Sequence, residues 1–568
     1  MGNQIKQILL GLVAFLSVLG LYVFPSTAFA SSEISLNDLR PSDKTYYFHE
    51  NRWSSNSSFT DIHGNLLANG IGLYDYDGGS SHATYNIDNM GYTNFQGRIT
   101  LDSQWLVGDY GKSAIGIYAD DLLLYTQQIP KDKVLDVNLK LPKTTKNLHF
   151  VVKQLHGAKG EQRVIITDGK FTSSGSYLSV SGTTTSLATI GAQDHSYYYN
   201  YGQWDSNSVF QDVKGNITIS DLGLYTYNGG RAYATFNIDQ MGYNVFETKI
   251  TLDSKWITGD YGKTAVGIYA DDVLLYEKQF TAKTAVQKVK LHIPKGTKNI
   301  ILVTQQNAGA RGTQKVVFID PVVKKTKDKV KTVDKTISLN TVGATNNSYY
   351  FYKNSYSDSS FQDIKGNLLT SGISLSTYNG GDAYAEYDIQ NMDFNGFLAK
   401  LSLDSKWVTG DYGKSTIYIY ADNKILYSKK LTKNSAVANL KLRLPSKTKT
   451  FKVVVKQVGG AKGTHKVILN NAVLTKMKVS STLKTSQIKV VNNKKKSDVV
   501  TVSSLKAGDY IKVYNSKGTL LATSKKATKT SVSVSIKQLG KSKGTVYVTK
   551  ISDSSLESYK QKKSYKAE

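Results

Sequence analysis

The stretch from Leu101 to Ser113, Leu-Asp-Ser-Gln-Trp-Leu-Val-Gly-Asp-Tyr-Gly-Lys-Ser, returns in close copy at Leu252 and again at Leu403, each start 151 residues after the last. Other landmarks keep that interval. Phe59-Thr-Asp-Ile-His-Gly-Asn65 recurs as Phe210–Asn216 and Phe361–Asn367, and Gly78-Gly79 as Gly229-Gly230 and Gly380-Gly381. A period this long is a whole domain, well above the roughly 20 to 50 residues of solenoid or propeller units. A chain built this way folds as three like domains plus whatever lies outside the repeat. A single-core fold is excluded.

Within one copy, short β-rich runs follow one another between turn signals. Ser113–Tyr118 and Leu122–Gln128 flank Ala119-Asp120-Asp121, which predicts a hairpin. Leu135–Leu141, Leu148–Gln154 and Gln162–Thr167 continue the series, interrupted by Pro142-Lys143 and His156-Gly-Ala-Lys-Gly160. No stretch sustains a helical period, so each copy is expected to be an antiparallel β-sandwich. The copies are placed at Asp43–Thr172, Asp194–Val323 and Asn346–Met477. A Ser/Thr/Gly-rich linker with one strand near Tyr177–Val180 precedes the second, and the lysine-rich Lys324–Lys335 precedes the third.

The tail, Leu483–Glu568, has no copy elsewhere. It carries 19 Lys against 5 Asp and Glu, half of the chain's net charge of +28. Short strands at Asp498–Val502, Tyr510–Asn515, Thr530–Ile536 and Thr545–Thr549 predict a small all-β domain. At the other end, a basic start, an apolar run from Ile8 to Phe24 and Ala28-Phe-Ala30 have the form of a signal peptide over residues 1–30, an uncleaved anchor being the alternative. The chain has no cysteine, which excludes disulfides and thiolate chemistry. An exported, basic, cysteine-free chain is expected outside the cell or in the cell wall. It is drawn there to anionic polymers rather than to nucleic acid.

The succession Ala83–Asp88, Phe95–Asp102, Ile115–Tyr125 and Leu148–Val152, with its counterparts in the other copies, resembles the NPCBM/NEW2 family of carbohydrate-binding modules. The aromatic ending of that family is absent; Gly157–Asp168 stands there instead. The resemblance covers about two thirds of the chain and implies a galactose-binding-like jelly roll and a polysaccharide or cell-wall glycan as partner. The tail resembles the lysine-rich Ig-like modules that close many exported bacterial proteins.

Sugar recognition uses a flat aromatic face for the pyranose ring and fixed polar groups for its hydroxyls. Trp105, Trp256 and Trp407 share one repeat position, four residues before Asp109-Tyr110, Asp260-Tyr261 and Asp411-Tyr412. These nine residues are candidate sugar ligands. A core tryptophan followed by a turn would read the same way, and identity among copies does not separate the two. Trp53 and Trp204 are added because the third copy has Ser355 and Tyr356 near that place, which suggests an aromatic not required by the fold and hence on the surface. The tyrosine clusters Tyr46-Tyr47, Tyr197–Tyr199 and Tyr349-Tyr350 fit strand propensity.

Gly111-Lys112-Ser113 imitates the end of a phosphate loop. The preceding glycine of that motif is missing and a strand follows, so no nucleotide is expected. Asp120-Asp121 and Asp271-Asp272 fit turn formation better than a metal or catalytic pair, and Asp75 and Asp77 have no acidic counterparts in the other copies. The only repeated carboxylate pair for a glycosidase is Asp102 with Asp109. No histidine recurs at a shared position. The reading is a non-catalytic, multivalent carbohydrate-binding protein without cofactor or metal. A structural or adhesive protein bound through its cationic tail is the alternative, and a glycosidase the third.

Overall fold

In the computed structural model, the described residues are 32–568 apart from 75–78, 107–111, 155–161, 181, 206–207, 220, 228–229, 258–262, 307–312, 328–334, 357–359, 409–413 and 458–462. The expected signal segment lies outside them. Among the described residues no helix is long and apolar enough to cross a membrane.

The chain is all-β, as expected, and forms tandem sandwiches. In the first copy the strands are β1 (Glu33–Ser35), β2 (Asp43–Lys44), β3 (Phe48–Glu50), β4 (Arg52–Ser54), β5 (Ser57–Ser58), β6 (Ile71–Leu73), β7 (Gly79–Asn86), β8 (Asn94–Leu101), β9 (Ser113–Ala119), β10 (Leu122–Gln128), β11 (Leu135–Lys140), β12 (Asn147–Gln154) and β13 (Val164–Thr172). One sheet runs β11-β8-β13-β6-β3, with β1 added on β13. The other runs β10-β9-β12-β7-β2. All these pairs are antiparallel. Alternation turns Tyr85, Phe95, Ile99, Phe150, Val152 and Phe171 inward, where they fill the space between the sheets. Glu33–Ser35, ahead of the expected start of the first copy at Asp43, pairs with Lys170–Thr172 and belongs to the sandwich.

The hairpin expected at Asp120-Asp121 is present. Asp120 takes φ +50° between β9 and β10, and its carboxylate accepts the backbone N–H groups of Lys146 and Asn147. Asp271 and Asp422 repeat that left-handed turn. Acidic side chains in this place serve the turn, since Asp tolerates the left-handed region and can bond to nearby backbone. The strand expected at Tyr177–Val180 is a correction: only Leu178 bridges there, to Pro142, and the strand lies at Thr183–Ser186.

The tail has a three-stranded and a four-stranded antiparallel sheet around Val500, Ile511, Val513, Val546 and Val548. It packs on the third copy. The Arg443 guanidinium lies 3.9 Å over the Tyr559 ring, and Leu556 meets Gly396. Glu557 is held by Lys512 at 2.9 Å, Tyr514 at 2.6 Å and Thr549 at 2.6 Å. Burial works against ionisation of Glu557, but the lysine charge and these hydrogen bonds hold its pKa below the usual value.

Two compact bodies divide the chain. One takes the residues through Ser186 together with Gly202–Phe210 and Asn216–Asp221; the other takes Leu187–Tyr201, Gln211–Gly215 and Leu222–Glu568. Two segments of the second copy therefore belong to the first body.

Candidate functional site

The repeated stretch leaves β8 through a single 3-10 turn, Ser103–Trp105, and Asp102 caps it by accepting the Gln104 N–H. Asp102 is fully buried. Its carboxylate also accepts the Trp53 indole N–H at 2.5 Å, the Thr60 hydroxyl at 2.6 Å and the Thr60 N–H at 3.2 Å. A buried carboxylate needs such a set of donors to remain tolerable. It is a structural anchor closed off from substrate, which removes it as one half of a glycosidase pair.

Trp105 is half-buried, and the Arg163 guanidinium sits 3.4 Å above its ring centroid. Arg163 directly precedes β13 and also lies 4.8 Å from the Trp53 ring and 4.6 Å from the Tyr74 ring. A cation enclosed by aromatic faces gains from each ring quadrupole. Around it the rings continue outward: His49 stacks on Tyr74 at 5.6 Å, Tyr74 meets Tyr47 at 4.9 Å, and Tyr47 meets Tyr46 at 5.2 Å. Tyr46 ends the series 91% exposed.

The second copy repeats the arrangement; the third keeps the cation over its rings but has Ser376 where Tyr74 and Tyr225 stand. Lys315 Nζ lies 3.9 Å over Trp256 and 5.5 Å over Tyr225. The Tyr225 ring packs on Tyr198 at 4.7 Å, and Tyr198 on Tyr197 at 5.4 Å. Lys466 Nζ lies 3.9 Å over Trp407 and 3.7 Å over Tyr356. Tyr197 and Tyr349, the counterparts of Tyr46, are 88% and 89% exposed. In all three copies the indole N–H of the repeated tryptophan is out of solvent and has no acceptor among the described residues.

The expected exposure of Trp53 and Trp204 is corrected. They are 4% and 6% exposed, and Tyr356 in the third copy is buried equally at 4%. The aromatic was replaced there rather than lost. The Tyr356 hydroxyl bonds to Asp404, the counterpart of Asp102, and to Ser374 at 3.1 Å. A phenol O–H and an indole N–H can serve the same acceptor. Burial raises the pKa of Asp404, and burial with the nearby Asp404 charge pushes the Tyr356 phenol well above its usual value.

The other named candidates, Asp109, Tyr110, Asp260, Tyr261, Asp411 and Tyr412, lie outside the described residues. Sequence reasoning missed the cations and the exposed tyrosines. The signal was available: a basic residue stands at one shared repeat position at the start of the last long strand, in Gln162-Arg163-Val164, Gln314-Lys315-Val316 and His465-Lys466-Val467. Among the described residues no group of three or more acidic or histidine side chains gathers for a metal.

No family model matches the sequence, and no curated protein does. Similar solved structures include the tandem CBM51 modules of a family 98 glycoside hydrolase from Streptococcus pneumoniae SP3-BS71, at 15% identity over 52% of this chain and 99% of that one, TM-score 0.23. A CBM51 module from Clostridium perfringens GH95 in complex with methyl-galactose is 18% identical over 25% of this chain and 99% of that one, TM-score 0.21. The CBM51-2 and INT domains of Clostridium perfringens ZmpB are 11% identical over 83% of this chain and 92% of that one, TM-score 0.22. At these scores the likenesses carry nothing about the site. The class, a tandem array of antiparallel β-sandwich modules, rests on the sheets themselves.

Proposed function

We propose that the chain is a non-catalytic, multivalent carbohydrate-binding protein, exported and held at cell-wall or extracellular polysaccharide, each of its three modules presenting one exposed tyrosine, Tyr46, Tyr197 or Tyr349. The observation that carries this is the recurrence of one almost fully exposed tyrosine at the same place in every copy. A bare tyrosine ring offers the apolar face that a pyranose requires. The NPCBM-like succession of strands supports the same reading. Three weak sites on one chain gain avidity when they engage one polymer.

The test is retention of the full chain on a panel of neutral glycans at low and high salt. Replacing Tyr46, Tyr197 and Tyr349 together by Ala removes exposed rings and leaves the cores intact, so retention should fall by at least tenfold with thermal stability unchanged. Unchanged retention would remove the tyrosines from the site. No retention of the native chain on any neutral glycan would remove the sugar-binding reading.

A second reading has its own observation. Lys494, Lys495 and Lys496 stand exposed together in the tail, in a domain we take as Ig-like and wall-facing. Attraction of this cationic surface to anionic wall polymer would fade with salt, whereas stacking on a neutral sugar would persist.

A further inference from the structure

The strand after the tryptophan loop differs between copies. Ser113–Ala119 and Thr264–Ala270 are buried at every position, whereas Ser415–Ala421 alternates buried with half-buried. A strand with one face on a core alternates in this way, so in the first two copies the outer face is covered as well.

The covering element is the same in both. In the first body, Val209, Ile217 and Ile219 of the second copy pack on Ala114 and Tyr118 of the first, and Gln128 Nε2 donates to the Ile217 carbonyl at 2.8 Å. In the second body, Gln279 Nε2 donates to the Leu368 carbonyl at 2.7 Å, and the Tyr269 and Thr370 hydroxyls bond to each other. Gln128 with Gln279, Ile217 with Leu368, and Ile219 with Thr370 occupy equivalent places in their copies. The tip of one copy thus sits on the sheet face of the copy before it, a head-to-tail contact.

Such a contact needs a glycine at its centre. A Cβ on Gly116 would lie 2.6 Å from Ile219 Cγ2, and one on Gly267 would lie 2.7 Å from Thr370 Oγ1, both closer than non-bonded carbon tolerates. The third copy has Tyr418 in this place, and Lys430 where the glutamine stands. At the opposite end of the series, the first copy's tip is bare among the described residues: Leu66 is three-quarters exposed, and Ala68 is exposed where Ile219 and Thr370 are the counterparts. A heterologous contact whose two ends are bare among the described residues extends into rings or open filaments unless something stops it.

We propose that Tyr418 is that stop: it closes the last sheet face against the Leu66 tip of a second copy of this chain and ends the head-to-tail series at three modules. The test is sedimentation of the full chain over a concentration series, for the native protein and for Tyr418→Gly with Lys430→Gln, which restores the two receiving residues. The native chain should sediment as one chain throughout. The variant should gain mass with concentration, and adding Leu66→Glu should return it to one chain. A variant that keeps its near-ultraviolet circular dichroism and stays single would overturn the proposal. So would a native chain whose self-association is lost on Leu66→Glu. The converse change, Gly267→Tyr, places on the second copy a residue that the equivalent strand of the third accommodates. It should release the third copy's tip and enlarge the radius of gyration in small-angle scattering. An unchanged radius would count against the glycine as the gate, and this arm decides if the first variant does not fold.

Discussion

The first and third copies solve one packing problem in two ways. Behind the capped turn the first copy places Trp53 against Asp102, with Thr60 supplying two further donors; the third places Tyr356 against Asp404, with Ser374 on the phenol and the Gln362 N–H on the carboxylate. Over the neighbouring tryptophan the first uses Arg163 and the third Lys466. What both retain is the arrangement: a buried carboxylate, a large aromatic with a polar edge, and a cation between rings. The side-chain identities are free to change as long as each donor meets its acceptor. A residue that is absent from one copy is therefore no guide to exposure.

The comparison can be broken most severely by emptying the aromatic site. Trp53→Ala should cost about 3–5 kcal/mol and Tyr356→Ala a similar amount, read as unfolding of the respective body by denaturant. A cost near zero in either would show that the site is not core. Next comes the carboxylate. Asp102→Asn keeps the shape but places an amide donor against Trp53 or Thr60, and should cost about 2–3 kcal/mol.

Asp404→Asn should cost less, because burial already raises the pKa of Asp404 in the folded state. A raised carboxyl adds stability that is fully present below its ordinary value of 3.8 and is lost as pH rises through the folded pKa. The Asn variant should lack that acid-side component. An identical pH profile for the two chains would contradict the shift.

Smaller effects sharpen the cation comparison. Arg163→Met should remove about 1–2 kcal/mol of cation–π attraction among three rings, and Lys466→Met no more than that, measured by thermal melts. The smallest expected effect concerns Gln162 and its counterpart His465. Gln162 accepts the Ser113 hydroxyl at 2.6 Å, and His465 meets Ser415 in the same place. Burial lowers the pKa of His465 below its ordinary 6.5. Its contribution is then full above pH 6.5 and is lost as pH falls toward the folded pKa, since the unfolded chain takes the proton first. His465→Gln should flatten that part of the pH profile of the second body and leave stability at pH 8 nearly unchanged. Persistence of the same acid-side loss would place it on other groups.

Much of the fold was legible. The interval of 151 residues imposed like modules, strand periodicity imposed sheets, and Asp120 with its counterparts marked the hairpins. The site was legible only in part. Trp105, Trp256 and Trp407 were found, yet the exposed Tyr46, Tyr197 and Tyr349 were hidden among tyrosines that strand propensity explains equally well. Trp53 misled because Tyr356, one of the two residues near that place in the third copy, was not recognised as its replacement.

The repeat, the all-β character, the lack of cysteine and the cationic tail were all readable along the linear chain, because period, alternation and composition need no contact between distant segments. Tertiary structure decided which aromatic is bare and which is enclosed, which cation lies over which ring, and that the copies seat on one another through Gly116 and Gly267. Burial and contact arise between segments far apart along the chain, and no local pattern records them.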